Sequence, residues 1–220
     1  MTSPTTSIEL HGVVRPVDVL AFDQVVPKTD PYAHIVSPRF YTKPFADKLL
    51  AWLESEPTWR LKDTIRYAQY EFGFSQFKHC KEIEGLWNGA VLARLRQEVI
   101  RASGVAVSNR MNISAHKSVP GQFAYIHTDE VPEEVYRVIV QLNHGRPDNS
   151  GGNLILLAGS KPADMAVVFR QVSNSAVGFE LGPKSYHAVG RVHSGSRFTI
   201  IYTFLSDTAA DDKYSYFVAS

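Results

Sequence analysis

Cysteine is nearly absent from this chain: Cys80 is the single example in 220 residues. One thiol excludes an internal disulfide and a cysteine-rich zinc site, so any metal must be held mainly by histidine and carboxylate. An excess of basic charge is also missing. Lys and Arg number 23 against 22 Asp and Glu, a formal net charge of +1, which disfavours a dedicated nucleic-acid binder. There is no run of 18 apolar residues and no basic, apolar start, so neither a transmembrane helix nor a signal peptide is expected. A cytoplasmic protein with no membrane or nucleic-acid partner is the resulting expectation. A chain that is 44% hydrophobic and 20% charged has the composition of a folded core and not of a disordered segment. The length suits one domain, spanning 1–220.

What is present changes in character along the chain. The first ten residues are Ser/Thr-rich and read as frayed, and 11–40 read as extended segments punctuated by Pro16, Pro27, Pro31 and Pro38. Phe45, Leu49 and Leu53 recur every four residues, which predicts a helix over 42–56 with Thr42 as N-cap and Pro44 in its first turn. Val91, Leu92, Leu95, Val99 and Ile100 predict a second helix over 86–103, closed by Gly104. Between them the aromatic-rich segment 66–77 reads as a strand or as a loop over a pocket, with most of its rings in the core. After Gly104, eight short β-type segments are predicted at 107–114, 122–127, 135–143, 153–158, 166–170, 176–180, 197–205 and 214–218. In the third of these, Val138, Val140 and Leu142 alternate with Arg137, Ile139 and Gln141. The expectation is a mostly β protein (α+β): an extended and helical support region over 1–104, then a sandwich or barrel over 105–220. Gly151-Gly152 reads as a hairpin turn before the strand at 153–158.

The chemistry concentrates in the second half. His127 and Asp129 lie two apart in Tyr125-Ile-His-Thr-Asp129, so a strand would aim both at one point. Alone, such a pair is weak evidence and is commonly a turn or surface salt link. His187, in Gly182-Pro-Lys-Ser-Tyr-His187, supplies a third ligand. Two histidines and one carboxylate make up the facial set of non-haem Fe(II), which leaves three positions open. Arg197 begins an otherwise apolar segment, where its charge needs an anionic partner, and its planar fork suits a carboxylate. Thr199, on the same face, can add a hydroxyl. His116, His144 and His193 read as surface or loop histidines, and the His79–Cys80 pair as an exposed His beside a partly buried thiol.

The stretch from Gly121 to Phe204 resembles the core of the Fe(II)/2-oxoglutarate-dependent oxygenases, and most the prolyl-4-hydroxylase-like branch. The residues that carry it are Gly121-Gln-Phe, His127-Thr-Asp129, Val138-Ile-Val-Gln-Leu-Asn143, Gly151-Gly-Asn-Leu154, Gly178-Phe-Glu, His187-Ala-Val and Arg197-Phe-Thr199, in family order. The resemblance implies a double-stranded β-helix (jelly-roll, cupin-like) core. It implies Fe(II) held by His127, Asp129 and His187, with Arg197 on the distal carboxylate of 2-oxoglutarate. It further implies consumption of 2-oxoglutarate and O2 with release of succinate and CO2, stimulation by ascorbate, and hydroxylation of a C–H bond. The branch often places a Tyr before the Gly that precedes His-x-Asp; here the segment reads Ser114-Ala-His116-Lys-Ser118-Val-Pro-Gly121. Besides Thr199, the second keto-acid contact is therefore open among His116, Ser118 and Tyr125. The expected substrate is a small metabolite such as a free amino acid, acted on by a monomer or homodimer. A peptidyl-prolyl or other protein hydroxylase is the alternative. From another class, a non-catalytic cupin-like barrel that binds a metal or ligand also fits the histidines, but has no need of Arg197.

Overall fold

The computed structural model describes residues 14–207 and 217–220. The segment expected to fray and the first part of the last predicted strand, 214–216, lie outside the described residues. The elements are α1 (Pro16–Val19), β1 (Val26–Lys28), β2 (His34–Ser37), α2 (Lys43–Ser55), β3 (Arg60–Asp63), β4 (Ala68–Gly73), α3 (Gly89–Ser103), β5 (Arg110–Ser118), β6 (Ala124–His127), β7 (Glu134–Leu142), β8 (Leu154–Leu157), β9 (Met165–Phe169), β10 (Ala176–Glu180), β11 (His187–Val189), β12 (Arg197–Leu205) and β13 (Phe217–Val218). Among the described residues, no helix is long and apolar enough to cross a membrane.

From β5 onward the chain winds between two sheets. The larger has the order β1-β2-β10-β7-β12-β5-β4-β3, with β13 added to β5; the smaller has the order β6-β11-β8-β9. Neighbours pair antiparallel throughout, for example Thr199 opposite His116 and Gln141 opposite Thr199. Winding between two facing sheets in this order makes a double-stranded β-helix.

Side-chain alternation explains how the two faces of the large sheet differ. On β12, Phe198, Ile200, Tyr202 and Phe204 join the apolar cluster formed with the helices. Arg197, Thr199 and Ile201 point the other way, into the space between the sheets. The alternation noted on β7 divides the same way: Val138, Val140 and Leu142 go to the helix side, and Arg137 and Ile139 line the interior. α2 buries Phe45, Leu49 and Leu53 in that apolar cluster, and α3 buries Val91, Leu92, Leu95 and Val99. A second, smaller cluster of Ile139, Leu154, Leu156, Val177 and Phe179 fills part of the gap between the sheets.

Several boundaries differ from expectation for local reasons. Thr42 stands at the N-cap of α2, but its hydroxyl donates to the Asp18 carbonyl (2.7 Å) and caps nothing. α3 starts later than predicted, because the Asn88 carboxamide accepts the Ala90 and Val91 amides (3.1 and 3.3 Å) and Lys81–Leu86 forms separate 3-10 turns. Gly104 closes α3 in the left-handed region, φ 73°. The first 104 residues supply four strands to the large sheet as well as its helical cover. Gly151-Gly152 is not a hairpin: β7 and β8 belong to different sheets, and Gly151 instead bridges Val192. Its φ is 68°, and a Cβ there would lie 2.0 Å from the Arg191 carbonyl oxygen.

Gly151→Ala should therefore destabilise the fold by about 2 kcal/mol or more, from backbone strain plus a displaced carbonyl. Thermal and denaturant unfolding measure this, and an unchanged midpoint would contradict the close approach.

Candidate active site

A cavity of about 650 Å³ opens between the sheets. Three strands of the large sheet floor it with alternate side chains: Asn112, Ser114 and His116 from β5, Arg137 and Ile139 from β7, Arg197, Thr199 and Ile201 from β12. The small sheet contributes Ala124, His127, Leu154, His187 and Val189. The β3–β4 hairpin walls the mouth with Arg60, Lys62, Gln69 and Glu71.

His127, Asp129 and His187 come together in this cavity, with one ligand atom of each within 4.8 Å of the others. The pairing of β11 with β6 sets His187 directly opposite His127, and their ring centroids are 4.3 Å apart. His127 Nε2 is 3.5 Å from Asp129 Oδ1, and His187 Nε2 is 3.1 Å from Oδ2. Both rings are oriented alike. His127 Nδ1 lies 2.6 Å from the Tyr125 carbonyl, and His187 Nδ1 lies 2.9 Å from the Ser185 carbonyl. A carbonyl only accepts, so each Nδ1 carries the proton and each Nε2 keeps a free lone pair facing its neighbour. Burial, with His187 alongside, holds the His127 pKa below its ordinary value and favours the neutral ring that a metal needs. Burial alone would raise the Asp129 pKa, but the adjacent Arg137 charge outweighs it and keeps the carboxylate ionised.

Arg197 is 3% exposed. Its Nη1 donates to Thr199 Oγ1 at 3.4 Å, while its buried Nε has no hydrogen-bond partner among the described residues. Burial and the nearby Arg146 charge lower its pKa to about 10, so it remains a cation at neutral pH. Gly152 makes room for it: a Cβ there would stand 3.2 Å from Arg197 Cδ. A buried guanidinium with an unused donor inside a cavity is a seat for an anion.

The three candidates for a second keto-acid contact separate clearly. Ser118 is buried opposite Arg197 in the β5–β12 pairing but does not line the cavity. Tyr125 is 59% exposed and packs edge-on against Phe123; its hydroxyl is outside the cavity, and only its carbonyl serves the site. The cause is an irregularity in the β6–β11 pairing: His187 faces His127, yet Val189 faces Ala124, one residue out of step. That bulge breaks the period of two, so Ala124 and His127 face inward and Tyr125 turns out. His116 is no surface histidine. It lines the cavity opposite Thr199, with Nδ1 3.0 Å from Gln69 Nε2. Burial, against the pull of Glu71 and with the Arg137 and Arg197 charges, lowers its pKa to about 4, so the ring is neutral near pH 7.

The other three histidines considered in the sequence stay outside the cavity. His144 is exposed and pairs with Glu54 (2.9 Å), and His193 is exposed. His79 is exposed beside a partly buried Cys80. In the aromatic segment, Phe72, Phe74 and Phe77 are core, while Tyr67 lines the cavity mouth.

Arg137 is the residue that sequence reasoning left out. Its three guanidinium nitrogens are all engaged: Nη1 donates to Asp129 Oδ2, Nη2 to Glu134 Oε2 (2.6 Å) and Nε to Thr203 Oγ1 (3.2 Å). A charged residue on the inward side of the Val138–Val140–Leu142 alternation was the available signal.

No family model and no curated protein matches the chain. Solved structures do. A Pseudomonas putida prolyl-4-hydroxylase superposes with a TM-score of 0.66 at 14% identity, covering 79% of this chain and 92% of its own. A Trichoplax adhaerens prolyl hydroxylase, in complex with a hypoxia-inducible-factor oxygen degradation domain peptide, gives 0.65 at 12% identity and covers 83% and 87%. A 2OG-Fe(II) oxygenase family oxidoreductase from Burkholderia pseudomallei gives 0.53 at 15% identity and covers 76% and 82%. The fold is thus that of the Fe(II)/2-oxoglutarate oxygenases of the prolyl-4-hydroxylase type.

His187→Ala should lower Fe(II) or Co(II) affinity by more than the ~10–100-fold that changes outside the ligand set cause. Anaerobic titration with calorimetric or absorption readout measures it. Equal affinity in the two proteins would remove His187 from the ligand set.

Proposed function

We propose that this chain is an Fe(II)- and 2-oxoglutarate-dependent dioxygenase that hydroxylates a C–H bond of a small polar metabolite, such as a free amino acid. The observation that carries the reading is the pairing of two features in one cavity: a His–Asp–His cluster, and a buried Arg197 with an unused donor.

The residues fit the implied groups. Two imidazoles and one carboxylate suit Fe(II) and leave room for three further ligands. His127, Asp129 and His187 would hold the metal, and Arg197 with Thr199 would hold the distal carboxylate of the keto-acid. His116, opposite Thr199 and neutral, is placed to add a further contact to the same end. The bound iron, 2-oxoglutarate and O2 would together supply the oxidation: one oxygen atom goes to succinate, formed with CO2, and the other to the substrate. The chain orients the keto-acid, keeps the metal-binding nitrogens deprotonated, and encloses the reacting groups between two sheets.

The substrate reading rests on the mouth. Lys62 and Glu71 pair at 3.1 Å, and Gln69 donates to Glu71 at 3.0 Å, so one wall presents both charges and amide groups. A cavity of about 650 Å³ that must also seat the keto-acid suits a small, polar co-reactant. A peptide hydroxylase is the second reading, favoured by the peptide complex of the Trichoplax adhaerens protein.

Succinate release from iron-loaded protein, across a panel of amino acids and proline-containing peptides, tests the class and separates the two readings. No succinate with or without substrate would sink the proposal. Arg197→Ala should raise the 2-oxoglutarate requirement about 10- to 100-fold, from a lost charge-assisted contact of roughly 1.5–3 kcal/mol, while metal affinity holds. Unchanged 2-oxoglutarate affinity would remove Arg197 from that role.

A further inference from the structure

Arg137 has no place in the reading above, yet it touches the cluster at its centre. Its Nη1 donates to Asp129 Oδ2, its Nη2 is 2.6 Å from Glu134 Oε2, and its Nε is 3.2 Å from Thr203 Oγ1. The side chain is 15% exposed, with each nitrogen on an acceptor of the chain itself. This is the opposite of Arg197, whose buried Nε has no partner among the described residues. The guanidinium with an unused donor awaits a ligand; the fully engaged one holds protein groups in place.

We infer that Arg137 is a positioning residue that makes Asp129 a one-oxygen ligand and so keeps one metal position open. The inference rests on the metal-centre reading above. A carboxylate can bind a metal through one oxygen or through both. The proposed chemistry fills six positions with three protein atoms, two keto-acid atoms and one small gas molecule, so a two-oxygen Asp129 would close the last of them. Arg137 donates to Oδ2, which also lies 3.1 Å from His187 Nε2, while Oδ1 stands 3.5 Å from His127 Nε2, carries no guanidinium contact and is the oxygen we assign to the cation. Glu134 balances the guanidinium charge, so the bonding that holds Oδ2 adds little repulsion toward the metal. Thr203, on β12, and Glu134, near the start of β7, fix the fork from two strands.

The test uses full-length protein loaded anaerobically with Fe(II) and 2-oxoglutarate, with nitric oxide as the probe of the open position. Its readout is the nitric oxide titration, followed by absorption or electron spin resonance, with no turnover involved. Arg137→Gln should weaken nitric oxide binding about tenfold or more while Fe(II) remains bound, and Arg137→Lys, which keeps a donor, should recover part of the loss. Nitric oxide affinity equal to wild type in a folded, iron-loaded Arg137→Gln protein would overturn the inference. Should that variant fail to fold, Glu134→Gln combined with Thr203→Val loosens the fork without removing it. A drop of about threefold or more then supports the role, and wild-type affinity overturns it. Wild-type protein that takes up no Fe(II) would overturn the metal-centre reading, and this inference with it.

Discussion

The period-two pleat of three adjacent strands governs this molecule. β5, β12 and β7 lie side by side, and each sends alternate side chains to opposite faces. On one face the residues are apolar and lock onto α2 and α3; the other carries Asn112, Ser114, His116, Thr199, Arg137 and Arg197 beside Ile139 and Ile201. The same backbone that builds the core therefore also gathers the polar groups of the cavity. A shift of one residue in any of these pairings would exchange the two sets, placing guanidinium groups in the core and Phe198, Ile200 and Tyr202 in the cavity. The helix side fixes the register, and the site inherits its geometry from that register.

Buried charge follows from this arrangement and is managed in two ways. Asp129 and Glu134 flank the Arg137 guanidinium, which offsets one of their two charges and makes a carboxylate tolerable between two sheets. Among the described residues Arg197 receives no such compensation, since its contact to Thr199 is to a neutral hydroxyl and Arg146 adds like charge. Leaving a guanidinium in that state costs stability unless an anion arrives, and this argues for a ligand more strongly than the histidine cluster does. A passive metal-binding barrel needs the cluster but not the uncompensated arginine.

Much of this was legible in the sequence, and the failures have physical causes. That His127, Asp129, His187 and Arg197 would meet in one cavity could be read because residue type, order and strand context agree. The alternation on β7 was visible too, although its consequence for Arg137 was not drawn from it. Tyr125 was misplaced because a one-residue bulge reverses the face, and nothing in Phe123–His127 announces a bulge. His116 looked like a loop histidine because β5 runs on to Ser118, four residues past its expected end. β11 is only three residues long and β3 is exposed along its whole length, so neither offers a periodic pattern. The mouth wall was half legible for that reason: 66–77 read as a strand or a loop over a pocket, whereas β3 is defined by its pairing with β4, which in turn pairs with β5, and not by its own hydrophobicity.

The central claim is that the histidine–carboxylate cluster and Arg197 together hold one keto-acid on one metal ion. Visible absorption of the anaerobic protein with Fe(II), before and after 2-oxoglutarate, tests this most directly. A keto-acid bound to the metal through two oxygens gives a weak charge-transfer band in the visible. The account predicts that this band develops with wild-type protein, saturates at one keto-acid per chain, and does not develop with succinate in place of 2-oxoglutarate. A solution that stays colourless at saturating Fe(II) and 2-oxoglutarate would contradict it.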